Sequence, residues 1–169
     1  MDARLPALAL ILTQFAAAPL AAQQATEACR AGEHRQFDFW LGEWRVRTPD
    51  GTEAGTSRIT RVANGCAVLE EWRSAAGPPG VSINFYDAKS RTWNQHWVGG
   101  GGMILHVAGA LSDGAMVLSG ERATPAGQIT DRIRWERQAD GGVKQTWETS
   151  SDGGRTWTTV FVGRYARAD

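Results

Sequence analysis

The histidines, cysteines and carboxylates of this chain of 169 residues are spaced so that they complete no catalytic motif. The three histidines are His34, His96 and His106, with neither a His-x-His nor a His-Glu-x-x-His spacing. Two histidines and a carboxylate can bind zinc or exchange protons. His96 and His106 flank the Gly99–Gly102 loop at similar distances, so they are expected to lie near one another. The alternative for both is a surface or hydrogen-bonded role, and we predict no metal site.

The sequence also lacks a nucleophile motif and a phosphate loop. The chain has no Gly-x-Ser-x-Gly segment. A phosphate loop ends in Lys-Ser/Thr and is followed by a helix, and the Gly99–Gly102 run has neither feature. We therefore predict no catalytic residue and no cofactor.

The paired carboxylates Glu70 and Glu71 lie in the middle of a strand-like segment. Because side chains alternate along a strand, one of them must face the interior. A buried carboxylate is costly unless it is paired. Its partner is expected among Arg58, Arg73, Arg132 and Arg134. Such a pair would either orient the polar head of a ligand or plug the interior.

Alternating polar and aromatic side chains form the best candidate for a ligand surface, since aromatic walls with a few polar groups are typical of small-molecule sites. This polar–aromatic strip consists of Asn84, Tyr86, Gln95, Trp97, Gln145 and Trp147. The alternative is that the tryptophans are plain core. The complete predicted ligand-binding set is Glu70, Asn84, Tyr86, Gln95, Trp97, His106, Arg134 and Trp147.

The elements that must position these residues are strands, because turn signals recur about every eight to twelve residues and apolar residues alternate between them. An antiparallel meander has two exposed edges unless it closes, which favours a barrel over a sandwich. We predict an all-β, up-and-down barrel of about ten strands, preceded by a short helical turn that ends at Gly42. The predicted strands are 43–48, 53–62, 66–74, 81–87, 92–98, 103–111, 115–122, 128–137, 143–150 and 156–166.

The N-terminus resembles an export signal. Residues Leu5 to Ala18 form an apolar run of signal-peptide length, with a cleavage point expected after Ala22. A buried N-terminal helix is the alternative. We predict a signal peptide at 1–22, an N-terminal arm at 23–36 and a barrel domain at 37–169.

Charge and cysteine content set further limits. The 18 basic and 18 acidic residues balance, so nucleic acid and anionic membranes are not expected partners. No later apolar run is long enough for a membrane span. Cys29 and Cys66 can pair in an oxidising compartment, although two free thiols are the alternative. We expect a soluble periplasmic or secreted protein, with its oligomeric state open.

The segment Ser150-x-Asp152-x-Gly154-x-Thr156-Trp157 matches the Asp-box pattern of sialidases. Asp152 is expected to accept backbone N–H groups across the turn, with Gly154 at positive φ and Trp157 packed beneath. One copy stabilises a hairpin. A glycosidase would need repeats of this motif and a pair of catalytic acids.

Several motifs together resemble the calycins, the superfamily of lipocalins and fatty-acid-binding proteins, and within it an uncharacterised family of exported bacterial lipocalin-like proteins. They are Phe37-Asp-Phe-Trp-Leu-Gly-Glu-Trp44, Asn84-Phe-Tyr-Asp87 with Trp93-x-Gln95-x-Trp97, and Ser150 to Trp157. The resemblance implies a barrel that holds one ligand. It also implies a structural role for Trp44 at the closed end, beneath Arg164 or Arg167.

The Leu41-Gly-Glu-Trp44 segment is also similar to the opening of nitrobindin, a ten-stranded barrel that binds haem through a late histidine. No histidine follows His106 here, so haem binding of that type is not expected. Ligation through His96 or His106 would be a different arrangement.

The sequence therefore predicts that a small, partly apolar molecule binds inside an exported barrel without catalysis. One alternative is an isomerase, cyclase or hydratase in the same barrel, with Glu70 or Glu71, Tyr86 or His106 as acid and base. Another is a solid barrel that acts as a protein-interaction module. An internal cavity would argue against the last, and a raised pKa of a cavity glutamate would favour the enzyme.

Overall fold

Ten strands follow one another along the chain in the computed structural model, which describes residues 29–168. The predicted signal peptide lies outside the described residues. Three short 3-10 helices, Gly32–Arg35, Asp38–Trp40 and Ala63–Gly65, accompany the strands. The strands are β1 (Gly42–Arg47), β2 (Glu53–Val62), β3 (Ala67–Ser74), β4 (Gly80–Asp87), β5 (Thr92–Gly99), β6 (Ile104–Ser112), β7 (Ala115–Thr124), β8 (Gly127–Arg137), β9 (Val143–Ser150) and β10 (Thr158–Arg167).

Every strand pairs antiparallel with its neighbours in sequence, and β1 also pairs with β10, so the sheet closes into a barrel. The closing register runs from Trp44 opposite Arg167 to Arg47 opposite Arg164. The predicted all-β up-and-down barrel is confirmed, and the sandwich is excluded. Each strand lies where the alternating pattern placed it, with differences only at the ends.

The predicted helical turn before β1 is a 3-10 turn, Asp38–Trp40, and β1 begins at Gly42. This segment plugs one end of the barrel. The side chains of Phe37 and Trp40 are fully buried and their rings stack at 4.8 Å. Phe37 also meets the ring of Trp135 at 5.2 Å. Burial of such large aromatic surfaces is what holds so short a segment in place.

Trp44 connects this plug to the first and last strands of the sheet, β1 and β10. Its indole Nε1–H donates to the carbonyl of Trp40 at 2.8 Å. The Arg167 guanidinium lies 3.9 Å from the Trp44 ring centroid and donates to the carbonyl of Leu41 at 2.6 Å. Gly42 has a φ of +133°, a backbone conformation that other residues rarely adopt, which explains the glycine. Of the two arginines considered, Arg167 therefore covers Trp44, and Arg164 is exposed on the outer face.

The N-terminal arm is fastened over the plugged end. A disulfide joins Cys29 to Cys66, with their Cα atoms 4.9 Å apart, so the predicted pairing is confirmed. Arg61 forms an ion pair with Asp38 and donates to the carbonyl of His34 at 3.0 Å. These contacts bind the arm to the β2–β3 connection.

The β9–β10 hairpin has the local geometry expected of an Asp-box. Asp152 Oδ1 accepts the backbone N–H groups of Arg155 and Thr156, each at 2.9 Å. Gly154 has a φ of +85°, and Trp157 donates to its carbonyl. Hydrogen bonds, first that of the Thr156 hydroxyl, lower the pKa of Asp152 to about 2. The motif therefore stabilises a turn.

Within residues 29–168, no helical segment has the length and apolar character needed to cross a membrane.

We predict that replacing both Cys29 and Cys66 by serine lowers the melting temperature. The bridge spans 37 residues, and the chain-entropy model gives about 3–4 kcal/mol for closing such a loop. That corresponds to roughly 6–16 °C for a domain of this size. Reductant should lower the melting temperature of the wild type and leave that of the double variant unchanged. Equal melting temperatures of the two proteins without reductant would contradict this prediction.

Truncation of the plugged end gives a second prediction. Trp44→Ala should lower the free energy of unfolding by roughly 3–5 kcal/mol, as for other buried tryptophans. Arg167→Ala should cost less, about 0.5–2 kcal/mol, because it removes mainly the cation–π contact. Urea unfolding measures both. Trp157→Ala, which truncates a half-buried indole in the hairpin, is the control. A cost for Trp44→Ala no larger than that of the control would refute this account of the closed end.

Candidate functional site

A cavity of about 410 Å³ occupies the barrel between the plug and the opposite end. At that opposite end it reaches the loop residues Pro78, Pro79 and Gly101, which form its mouth. Most of its wall is apolar or aromatic. Leu105 and Ile133 lie on the wall, and the principal aromatic side chains there are Trp72, Trp97, Trp147, Phe161 and Tyr165.

The position of Trp97 depends on a glycine opposite it. Ser82 and Trp97 are register partners, and Gly80 lies one interior position nearer the mouth on β4. A Cβ on Gly80 would overlap the Trp97 ring. The absence of a side chain there lets the indole lie flat along the β4 wall.

Glu70 is the ionisable carboxyl group of the cavity wall. It lies on the interior face of β3 and is only 5% exposed. The hydroxyl of Ser57 donates to Oε1 at 3.1 Å and that of Ser82 donates to Oε2 at 2.9 Å. Both partners are neutral. Burial raises the pKa of Glu70 to about 7, and the two hydroxyl hydrogen bonds only partly oppose that shift.

The expected arginine partner of Glu70 is not in the interior, which corrects that part of the sequence interpretation. Even-numbered residues of β8 face outward, so Arg132 and Arg134 lie on the outer surface. Arg132 pairs there with Glu148 at 2.9 Å, and Arg134 pairs with Glu136 at 3.2 Å. The other two candidates, Arg58 and Arg73, are exposed as well. Glu71, the neighbour of Glu70, faces outward, 3.9 Å from Arg58.

A chain of buried amides supports the hydroxyl that holds Glu70. Gln95 Nε2 donates to Asn84 Oδ1 at 2.8 Å, and Asn84 Nδ2 donates to the Ser82 hydroxyl at 2.9 Å. The register places Asn84 opposite Gln95 and Ser82 opposite Glu70. These residues form a polar belt on neighbouring strands, defined as Ser57, Glu70, Ser82, Asn84 and Gln95.

Tyr165 lies across the cavity on β10 and donates its hydroxyl hydrogen to Gln145 Oε1. Burial, and then the negative charge of Glu70, raise the pKa of Tyr165 well above its usual value. Nearer the mouth, the Trp147 indole donates to Asp131 Oδ1 at 2.8 Å. The Arg122 guanidinium binds the other oxygen of Asp131 at 2.7 Å. This second buried acid is therefore already paired.

The structure brings half of the predicted ligand-binding set to the cavity wall: Glu70, Gln95, Trp97 and Trp147. Asn84 is fully buried behind this wall, where it bonds to Gln95. Tyr86 lies near the plug, with its ring 5.2 Å from that of His34.

The structure corrects the prediction that His106 and Arg134 bind the ligand, because both side chains lie on the outer face. His106 stacks on His96 with ring centroids 3.9 Å apart, which confirms only that the two histidines are neighbours. Desolvation, followed by the charge of His106, lowers the pKa of His96. Odd-numbered residues of β5 and β6 face inward, so neither ring can reach the interior.

Three polar side chains of the site were in neither the predicted set nor the polar–aromatic strip: Ser57, Ser82 and Tyr165. Ser82 shares a face with Asn84 by strand alternation, so that signal was in the sequence. Nothing local marks Ser57, whose contact with Glu70 depends on how β2 pairs with β3. Tyr165 reaches the same cavity only because the barrel closes.

No group of three histidine, cysteine, aspartate or glutamate side chains comes together as a metal site within residues 29–168. A scan of the chain against protein-family models finds no match. A search of curated proteins likewise finds no relative.

The raised pKa of Glu70 predicts how stability changes with pH. The folded protein holds a proton on this group up to about pH 7, whereas the unfolded chain loses it near its ordinary value. The contribution of Glu70 to stability is therefore complete below about pH 4 and is lost as pH rises to about 7, a change of about 3 kcal/mol.

Urea unfolding of the wild type and of Glu70→Gln from pH 4 to 8 tests this prediction. Glutamine cannot ionise, so the stability of the variant relative to the wild type should rise with pH and level off above about 7. Other titrating groups are common to both proteins and cancel in the difference. A difference that is flat across this range would show that Glu70 ionises as an ordinary carboxyl group.

Proposed function

We propose that this protein binds one small, partly apolar molecule inside its barrel. The observation that carries the proposal is the cavity of about 410 Å³, closed by the plug at one end and open at the other. Its volume falls within the range of about 300–1,000 Å³ typical of small-molecule sites. Its aromatic walls with a few polar groups also match the usual composition of such sites.

Export is part of this proposal. The Cys29–Cys66 disulfide supports it, since such bonds form and persist mainly in oxidising compartments. The likeness to lipocalin-like proteins remains a prediction from the motifs. The closed antiparallel barrel and the packing of Arg167 over Trp44 agree with it.

An acid–base enzyme in the same barrel is the second candidate, because Glu70 combines a cavity position with a pKa near 7. A general acid or base works best with a pKa near the operating pH. The binding proposal is preferred because Glu70 is the one group on the described wall with such a pKa, whereas His106 lies on the outer face and Tyr86 lies near the plug. The cavity itself counts against a solid interaction module.

The first experiment is mass spectrometry of small molecules released on denaturing protein purified from its native compartment. A binding protein should carry a stoichiometric apolar or amphipathic compound. An enzyme should carry two compounds related by isomerisation or by loss of water, and Glu70→Gln should carry only one. Protein that is empty and also fails to take up a hydrophobic fluorescent probe would refute both.

Filling the cavity gives a fourth prediction. Leu105 lines the wall, and its neighbour Ile104 points outward with 64% exposure. Leu105→Trp should weaken uptake of the probe by about tenfold or more, or about 1.4 kcal/mol. Ile104→Trp should bind the probe as the wild type does.

A second pair of variants tests the same prediction in case a variant of the first pair does not fold. Ile133→Phe fills the cavity from β8, and Arg134→Phe adds the same ring outside. Circular dichroism and thermal melting establish that each variant folds. Equal probe affinity for inward and outward variants would place the probe elsewhere on the protein.

A further inference from the structure

We propose that the natural ligand is an organic cation, whose ammonium group binds at Glu70 while its apolar or aromatic body lies along the tryptophan walls. The inference rests on the proposed function, because it names the chemical class that the same cavity would take. It depends on the absence of a positively charged side chain from the described wall of the cavity.

Glu70 has no cationic partner among the described residues that line the cavity. Its two carboxyl oxygens receive one hydroxyl each, from Ser57 and Ser82. No lysine, arginine or histidine lies on the described wall. Ionisation of a buried carboxyl group without a counter-ion is costly, so a ligand that supplies a positive charge would stabilise the ionised form of Glu70.

The other titratable groups near Glu70 already have partners or face away from it. On the interior side, Tyr165 donates to Gln145, and Asp131 is held by Arg122 and Trp147. On the outer side of β2 and β3, Arg58 lies between Glu43 and Glu71. Of these groups only Arg58 and Arg122 are cations, and each is already paired with another carboxylate.

The walls around this carboxyl group suit a cation with an apolar body. Trp72, Trp97 and Trp147 line the same cavity. The electron-rich faces of tryptophan attract ammonium groups, and the attraction strengthens where water is excluded. An acid and several indoles in one cavity together select for positive charge.

The same features disfavour the other ligand classes. A ligand carboxylate would bring a second negative charge beside Glu70, and the two groups could remain only by sharing a proton. A neutral ligand would gain a hydrogen bond but no charge attraction. A fatty acid therefore fits this cavity poorly, because its carboxylate would lie beside Glu70.

Binding of a cation also moves a proton. Below about pH 7 Glu70 holds a proton in the folded protein. When the ammonium group binds the carboxylate, that proton leaves to solvent, so one proton is released for each cation bound. Affinity for a permanently charged amine should therefore rise with pH up to about 7 and then level off.

The test compares three probes of matched length: phenylbutylammonium, phenylbutanol and phenylbutanoate. Tryptophan fluorescence and calorimetry measure binding at pH 7.5. Phenylbutylammonium should bind wild-type protein about 10- to 100-fold more tightly than phenylbutanol, as hydrogen bonds to charged groups are worth that much. Phenylbutanoate should bind most weakly. Glu70→Gln should remove the advantage of the ammonium probe, and the matched control Glu71→Gln, altered on the outer face, should keep it.

Proton release measured in buffers of different ionisation enthalpy gives a readout that needs no variant. At pH 6, phenylbutylammonium should displace close to one proton and phenylbutanol none. Equal affinities for the three probes, with all three weakened by Leu105→Trp, would overturn the cation proposal and leave the cavity a binding site. Tightest binding of phenylbutanoate would overturn it in the same way. Failure of all three probes and of a neutral fluorescent probe to bind would overturn both proposals.

Discussion

The Trp44 ring lies between the Trp40 carbonyl and the Arg167 guanidinium, and this contact joins the plug, the first strand and the last strand. Closure of the sheet depends on β1 meeting β10, which is the pairing with the greatest separation in sequence. Contacts of that range carry a large loop-closure entropy. The buried aromatic cluster around Trp44 offsets that entropy and at the same time seals one end. Within residues 29–168 the cavity consequently opens opposite the plug.

Above the plug, the interior changes from aromatic core to a polar belt and then to an aromatic mouth. The polar belt is an exception to the usual rule that cores are apolar. It is costly, because the folded protein loses stability as Glu70 ionises. Proteins tend to break local rules of this kind at functional sites. The hydroxyls and amides around Glu70 fix its position without neutralising it. That combination orients a carboxyl group toward a cavity. A purely structural role for Glu70 would require an arginine paired with it in the interior.

The belt also affects the outside of the barrel. On β4 the interior side chains are Ser82 and Asn84, so the apolar residues that alternate with them face outward. Val81, Val98 and Ile104 form a register row across three strands, each about half exposed or more. His96 and His106 stack in the next row. The histidine pair therefore belongs to the outer surface, and its chemistry is separate from that of the cavity.

Local sequence determined the strands, the turns, the N-terminal turn before Gly42 and the Asp-box hairpin, because period-two alternation and turn residues act over a few neighbours. It also showed that one of Glu70 and Glu71 must be buried. It could not show which face of β4 points inward, because alternation defines two faces without assigning either to the core. Barrel closure and strand register made that choice. They brought the hydroxyls of Ser57 and Ser82 within hydrogen-bond distance of Glu70, and Tyr165 to the same cavity. They also put Arg134 and His106 on the outer face. These contacts join residues far apart in the chain, so they exist only once the sheet has closed.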